Sequence, residues 1–268
     1  MKKLLWRLGA AALIIYAAFL LLMFSLQTQF IFPTNAVGPA GPLPRGAERL
    51  TLSSDGETLR GVHVPPSAMS GEQTLILSFA GNAWNSQEAA TYIHQLYPDA
   101  DVVGFHYRGY LPSTGDPSAA ALIKDAPAIY DFAVDRLKPK RVIAVGFSIG
   151  SGVAATLAAK RKLDGLILVT PFDSLKAVAA DQYPWLPVAA LFEHEIDTAS
   201  ALLKVETPVA IIAAELDSLV RPQHTDGLRK VVRNLSYDRT MKGVGHNDIY
   251  HRAAFHDAMA EAMAALSR

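Results

Sequence analysis

Five short apolar runs recur along this chain: residues 75–80 (LILSFA), 101–106 (DVVGFH), 141–146 (RVIAVG), 165–169 (GLILV) and 208–213 (PVAIIA). They are mostly apolar from end to end and do not alternate, which is the pattern of strands covered on both faces in a parallel sheet. Helical patterns separate them at 86–96, 118–137, 148–160 and 222–232, and a last one closes the chain at 249–266. The alternation predicts an α/β fold, doubly wound with a mostly parallel sheet and right-handed crossovers. Two earlier β-rich pieces, 49–53 and 58–64, flank Ser54-Asp55-Gly56-Glu57, a hairpin signal that adds antiparallel strands at one edge.

Ahead of this domain, residues 8–26 (LGAAALIIYAAFLLLMFSL) carry no charge. At ~1.5 Å per residue a helix of that length reaches across roughly the ~30 Å hydrocarbon core of a bilayer, so one N-terminal transmembrane helix is expected. An uncleaved anchor is favoured over a removed signal peptide. The run is longer than the usual apolar stretch of about 7–15 residues, and it ends in Leu22, Met23, Phe24 and Leu26 without a small-residue cleavage site. Lys2, Lys3 and Arg7 precede it, which keeps the N-terminus cytoplasmic and places the rest on the periplasmic or extracytoplasmic side. Residues 33–47 hold Pro33, Pro39, Pro42 and Pro44 with Gly38, Gly41 and Gly46, the chemistry of a linker. As a free tether at ~3.1 Å per residue it would reach roughly 45 Å. The expected organisation is therefore an anchor over 1–32, a linker over 33–47 and a domain over 48–268.

Charge and cysteine content narrow the function classes. The chain has 25 basic and 25 acidic residues, and three of the basic ones sit ahead of the apolar run, so the domain itself is mildly acidic. A nucleic-acid partner held by bulk positive field is not expected. There is no cysteine, which excludes a disulfide framework, a thiolate nucleophile and a Cys-based zinc site.

Gly146-Phe147-Ser148-Ile149-Gly150 follows the RVIAV run and opens an Ala-rich helical pattern. A sharp strand-to-helix turn at this place lifts a serine side chain clear of the sheet, with small residues giving the turn room. A serine hydroxyl needs a positioned base, itself oriented by an acid. His246 lies in the glycine-bearing loop Lys242-Gly243-Val244-Gly245-His246-Asn247-Asp248 ahead of the final helix, where a base can reach the C-terminal edge of the sheet. Asp217 follows the PVAIIAA run and gives the chain order Ser148, Asp217, His246; Asp173 is the rival acid. His63, His94 and His106 fall inside expected elements and read as satisfied, partly buried imidazoles. His251 and His256 are expected on the last helix, and Glu193-His194-Glu195-Ile196-Asp197 reads as a solvated face.

Together these motifs resemble the α/β-hydrolase superfamily, in particular single-pass, membrane-anchored members related to serine aminopeptidases and acyl hydrolases. The likeness runs from about residue 48 to the C-terminus. It is carried by the GFSIG turn, by Tyr107-Arg108-Gly109-Tyr110 with Ser113-Thr114-Gly115-Asp116-Pro117-Ser118, by Asp217 with Val220 and Pro222, and by Gly245-His246-Asn247-Asp248. The resemblance implies an oxyanion hole made by the backbone N–H groups of Ile149 and Asn82. Residues 79–83 (FAGNA) look like the family's His-Gly-Asn turn with Ala80 in the histidine position. It also implies a small lid within 171–206, whose Tyr183, Trp185, Leu186 and Phe192 would line an apolar acyl pocket.

The function so implied is a serine hydrolase (esterase, lipase, thioesterase or aminopeptidase-like) working through an acyl-enzyme on a small-molecule or lipid-like acyl substrate, with no metal or organic cofactor required. Perhydrolase or haloperoxidase-like chemistry on the same triad is the alternative within the fold, and a catalytically silent membrane-anchored scaffold is the alternative outside enzymology. The charge pattern at the N-terminus yields a topological prediction. Protease added outside intact spheroplasts should digest the domain, whereas activity of a C-terminal cytoplasmic reporter, with none from a periplasmic one, would reverse the orientation.

Overall fold

The computed structural model of the chain describes residues 1–67 and 73–267. Its N-terminus is one long helix, α1 (Lys2–Ile31), with no buried residue and a mean hydropathy of 2.3 over its most apolar window, a candidate membrane span by length and composition. An eight-stranded sheet follows. The hairpin β1 (Glu48–Ser54) and β2 (Glu57–Val64) turns at Asp55 and Gly56, with φ of 53° and 82°, the positive values that a tight two-residue hairpin requires. Next come β3 (Thr74–Phe79), α2 (Ser86–Leu96), β4 (Asp101–Phe105), α3 (Ala119–Leu137), β5 (Arg141–Phe147) and α4 (Ile149–Ala158). The second half runs β6 (Gly165–Val169), α5 (Leu175–Gln182), α6 (Val188–Leu191), α7 (Thr198–Leu202), β7 (Val209–Ala214), α8 (Pro222–Arg229), β8 (Leu235–Met241) and α9 (Ala253–Ala265).

The strand order is β1-β2-β4-β3-β5-β6-β7-β8, with β2 antiparallel to β1 and β4 and all other pairs parallel. This is the α/β-hydrolase fold. Residues 142–147 of β5 and all of β6 and β7 are buried, as their unbroken apolar runs require. Two apolar layers cover the sheet, one built with α3, α4, α7 and α8, the other with α2 and α9. Helix α4 is buried over Ile149–Leu157, and its small Gly and Ala residues let it lie close on the central strands.

Three sequence expectations change here. The last helix does not start at 249: a 3-10 turn (Ile249–His251) comes first and Arg252 is extended, so His251 and His256 belong to different elements. The 193–197 run is not a solvated face. His194 is buried with its ring edge-on to Phe32, and the Glu195 carboxylate accepts hydrogen bonds from Ser174 Oγ and Lys176 N. Residues 33–47 do not hang free. Asn85 Nδ2 donates to the Gly38 carbonyl (3.0 Å), Gln87 Nε2 donates to that of Gly41 (2.8 Å), and Leu43 and Ala47 pack on the core.

His63 and His106 are buried, as expected. His63 bonds both Glu48 and Asp101. Burial, helped by Arg49, pushes His106 down to about 4, so it is neutral at ordinary pH. One charged pair braces the loop that follows β4. Arg108 donates twice to Asp125 on α3, 2.7 Å each, and Ser54 Oγ donates to the same carboxylate. Removing one partner of a buried pair strands the other, at about 3 kcal/mol or more. Asp125→Ala should therefore lower unfolding stability by about 3 kcal/mol, read from the denaturant midpoint in detergent. An unchanged midpoint would show that the pair does not brace this loop.

Candidate active site

Ser148 sits between β5 and α4 with φ 51° and ψ −118°. A non-glycine residue adopts this conformation only when its surroundings hold it there. Ser148 N donates to Val169 O (2.9 Å), which ties the turn to β6, and Ser151 N and Oγ both donate to Ser148 O. The flanking glycines are required by contact. A Cβ on Gly146 would lie 2.3 Å from Gly150 O, and one on Gly150 would lie 2.1 Å from Phe79 O.

His246 and Asp217 converge on this serine from two loops at the same sheet edge. His246 Nε2 lies 2.9 Å from Ser148 Oγ, and His246 Nδ1 lies 2.7 Å from Asp217 Oδ2. The other Asp217 oxygen accepts from Leu219 N (3.0 Å) and Val220 N (2.8 Å), so the loop's own backbone stabilises the buried carboxylate. A carboxylate facing Nδ1 favours the tautomer with the proton on Nδ1. Nε2 is then an acceptor for the serine hydroxyl proton. Asp173, the rival acid, is committed elsewhere: its Oδ1 bonds His224 Nδ1 at 2.9 Å and accepts from Ser174 N.

Ile149 and Asn82 line, together with Ser148, a cleft of about 610 Å³. Ile149 is the first residue of α4, where a backbone N–H has no intrahelical acceptor. The turn bearing Asn82 is held from behind by the Tyr107-Arg108-Gly109-Tyr110 motif. Tyr107 Oη donates to Ala80 O (2.9 Å) and Tyr110 Oη donates to Asn82 O (2.8 Å). Burial raises both phenol pKa values, which keeps them protonated donors. Alanine at position 80 is thus accommodated: its carbonyl, and not its side chain, carries the tether.

Of the four side chains expected to line an acyl pocket, Tyr183 and Phe192 face the Ser148 cleft. Leu186 lines an adjoining groove. Trp185 does neither, and its expected lining role is corrected: it is half exposed, with its ring against Phe19 of α1 at 5.5 Å. Sequence reasoning missed Trp84 and Tyr250, which cross the cleft wall at 5.4 Å ring separation, and it missed Phe30 and Ile31 at the end of α1. Trp84 carried a signal, since it follows the Asn82 turn by two residues. Phe30 and Ile31 carried none, because nothing local says that the helix end folds back on the domain.

Comparison with known proteins agrees with this architecture. Residues 75–194 match the family model described as the alpha/beta hydrolase fold. An uncharacterized protein of Mycobacterium tuberculosis is 30% identical over 247 residues, covering 89% of this chain and 87% of that protein. The lysophosphatidylserine lipase ABHD12 of Danio rerio is 27% identical over 209 residues, 69% of this chain and 52% of that protein. The crystal structure of the Pyrococcus furiosus esterase Pf2001 superposes with a TM-score of 0.70 over 87% of this chain and 96% of that one, at 17% identity.

The Tyr110 tether makes a separable prediction. Tyr110→Phe deletes only the oxygen that holds the Asn82 carbonyl. Hydrolytic turnover should fall by about tenfold, as expected for losing one hydrogen bond of ~1.4 kcal/mol that orients the turn, while the thermal midpoint moves little. Unchanged turnover would show that the turn needs no such support.

Proposed function

The chain belongs to the α/β-hydrolase family, and from that membership we propose that it is a membrane-anchored serine hydrolase cleaving acyl esters through a covalent acyl-enzyme. The observation that carries this is the unbroken line from Asp217 through His246 to Ser148, with bonds of 2.7 and 2.9 Å, opening into the cleft. In this proposal Ser148 Oγ attacks the ester carbonyl carbon as its proton passes to His246 Nε2. Asp217 fixes the imidazole orientation and stabilises the imidazolium. The Ile149 and Asn82 N–H groups receive the oxyanion. The ester C–O bond then breaks, and the alcohol leaves with the proton from Nε2. Water repeats the sequence on the acyl-serine, releasing the carboxylic acid and restoring the serine hydroxyl.

Esters are preferred over aminoacyl amides because, among the described residues, no Asp, Glu, Lys or Arg side chain lines the cleft. A charged amino terminus would find no counter-charge there, whereas an acyl chain meets Trp84, Phe172, Phe192 and Tyr250. The Danio rerio relative, by name a lysophosphatidylserine lipase, points the same way. Helix α1 acts as the anchor, with Lys2, Lys3 and Arg7 holding the N-terminus on the cytoplasmic side. Residues 48–268 form the hydrolase domain, joined to the anchor through 33–47.

Fluorophosphonate labelling with peptide mapping tests the nucleophile, and turnover of p-nitrophenyl esters tests the rest. Ser148→Ala should abolish both labelling and hydrolysis while leaving the fold intact. Asp217→Asn should lower turnover by roughly 10³- to 10⁴-fold, because the base loses its orienting charge. Labelling that survives Ser148→Ala, or a loss of turnover in Asp173→Asn but not in Asp217→Asn, would overturn the corresponding assignment.

A further inference from the structure

Helix α1 does more than leave the domain. Its last four turns run alongside the lid segment that joins α5, α6 and α7. Tyr16 Oη donates to Trp185 O at 3.2 Å, and Phe19 packs on Trp185. Gln27 is used at both ends, donating from Nε2 to Leu191 O (3.2 Å) and accepting at Oε1 from Glu193 N (3.1 Å). Thr28 Oγ1 and buried His194 Nε2 are hydrogen-bonded at 2.7 Å. At the top, Asn82 Nδ2 donates to Ile31 O (3.0 Å), so the helix end is tied to the turn beside Ser148.

Between helix and lid lies an apolar groove, walled by Met23, Phe24 and Phe30 on one side and Leu186, Leu191 and Phe192 on the other. It is continuous with the Ser148 cleft: Phe30, Ile31, Ala179, Tyr183 and Phe192 line both. The depth of this groove follows from helix geometry. Phe19 lies seven residues before Leu26, the end of the charge-free run, so the lid tip at Trp185 sits ~10 Å inside the apolar length of α1. Residues 183–192 (YPWLPVAALF) carry no charge, and Tyr183 and Trp185 are half exposed, which suits a segment standing in lipid and not in water.

We propose that α1 is a wall of the substrate site, and that the acyl chain of a lipid in the surrounding leaflet enters between α1 and the lid and passes up the groove to Ser148. The occupant is a lipid acyl chain because the groove is uncharged, opens at hydrocarbon depth and ends at the serine. The proposal rests on the acyl-hydrolase assignment above and adds to it the substrate's source: the bilayer and not the aqueous phase. Removal of α1 would strip away part of the cleft as well as the anchor.

The test uses the full chain in lipid nanodiscs and a fluorophosphonate carrying a long alkyl chain with a diazirine near its end. Phosphonylation forms the Ser148 Oγ–P bond and expels fluoride, after which light cross-links the chain to whatever surrounds it. Cross-links are expected within residues 23–31 of α1 and 186–192 of the lid. Phosphonylated Ser148 with cross-links confined to the Trp84 and Tyr250 side would overturn the groove and leave the hydrolase standing. No phosphonylation at all would bring down the serine-hydrolase assignment, and the groove with it.

A second measurement uses bulk. Met23→Trp fills the groove, so the ratio of kcat/KM for a bilayer-dissolved long-chain ester to that for a water-soluble butyrate ester should drop by about tenfold. Butyrate turnover in the same sample reports that the variant is folded. Leu22→Trp, on the exposed flank, should leave the ratio where it was. An unchanged ratio in Met23→Trp, or an equal drop in Leu22→Trp, would overturn the proposal.

Discussion

A serine backbone at φ 51° and ψ −118° costs about 1–3 kcal/mol relative to an ordinary conformation, and the molecule is arranged so that Ser148 has no alternative. β5 delivers the chain to the edge of the sheet, and the bond from Ser148 N to Val169 O stops it there. α4 must then start at once, so close to β3 and β5 that only glycine fits at 146 and 150. The strain turns Oγ away from the sheet and leaves the Ile149 N–H at a free helix start. Every other part of the site is built around that fixed point.

The supports come from different parts of the chain, and those that touch the Asp217 carboxylate and the Asn82 turn directly run through backbone groups. Asp217 is held by the amides of Leu219 and Val220, and its second oxygen is left for His246. The Asn82 turn is held through its carbonyls by Tyr107 and Tyr110, and the loop carrying those tyrosines is braced by Arg108 on Asp125. Such anchoring tolerates side-chain change, which is how alanine stands at position 80 without loss of the tether. Helix α1 joins this set through Ile31 O, so the N-terminal apolar helix and the turn beside the serine are mechanically connected.

What the sequence disclosed and what it concealed divide along contact range. The strands at 141–147 and 165–169, the turn at Ser148 and the hairpin at 55–56 all depend on residues near one another in sequence or on periodicity, and they appear where expected. Trp185 was misplaced because its position is set by Phe19, and nothing in the lid's own sequence points outward. His194 looked solvated among glutamates, yet Phe32 and Thr28 cover it. The Pro and Gly content of 33–47 spoke for a tether, and such composition is blind to Asn85 and Gln87 capturing its carbonyls. In each case a partner 46 or more residues away made the difference.

The central claim, acyl transfer through a serine held by this turn, is tested most directly by intact mass and peptide mapping of the unmodified protein, quenched in the first turnovers of a slowly deacylated p-nitrophenyl ester. A mass gain equal to the acyl group, located on Ser148, formed with a stoichiometric burst of nitrophenol and decaying as substrate runs out, is the expected result. Steady product release without a burst and with no acyl group on Ser148 at any time would contradict it.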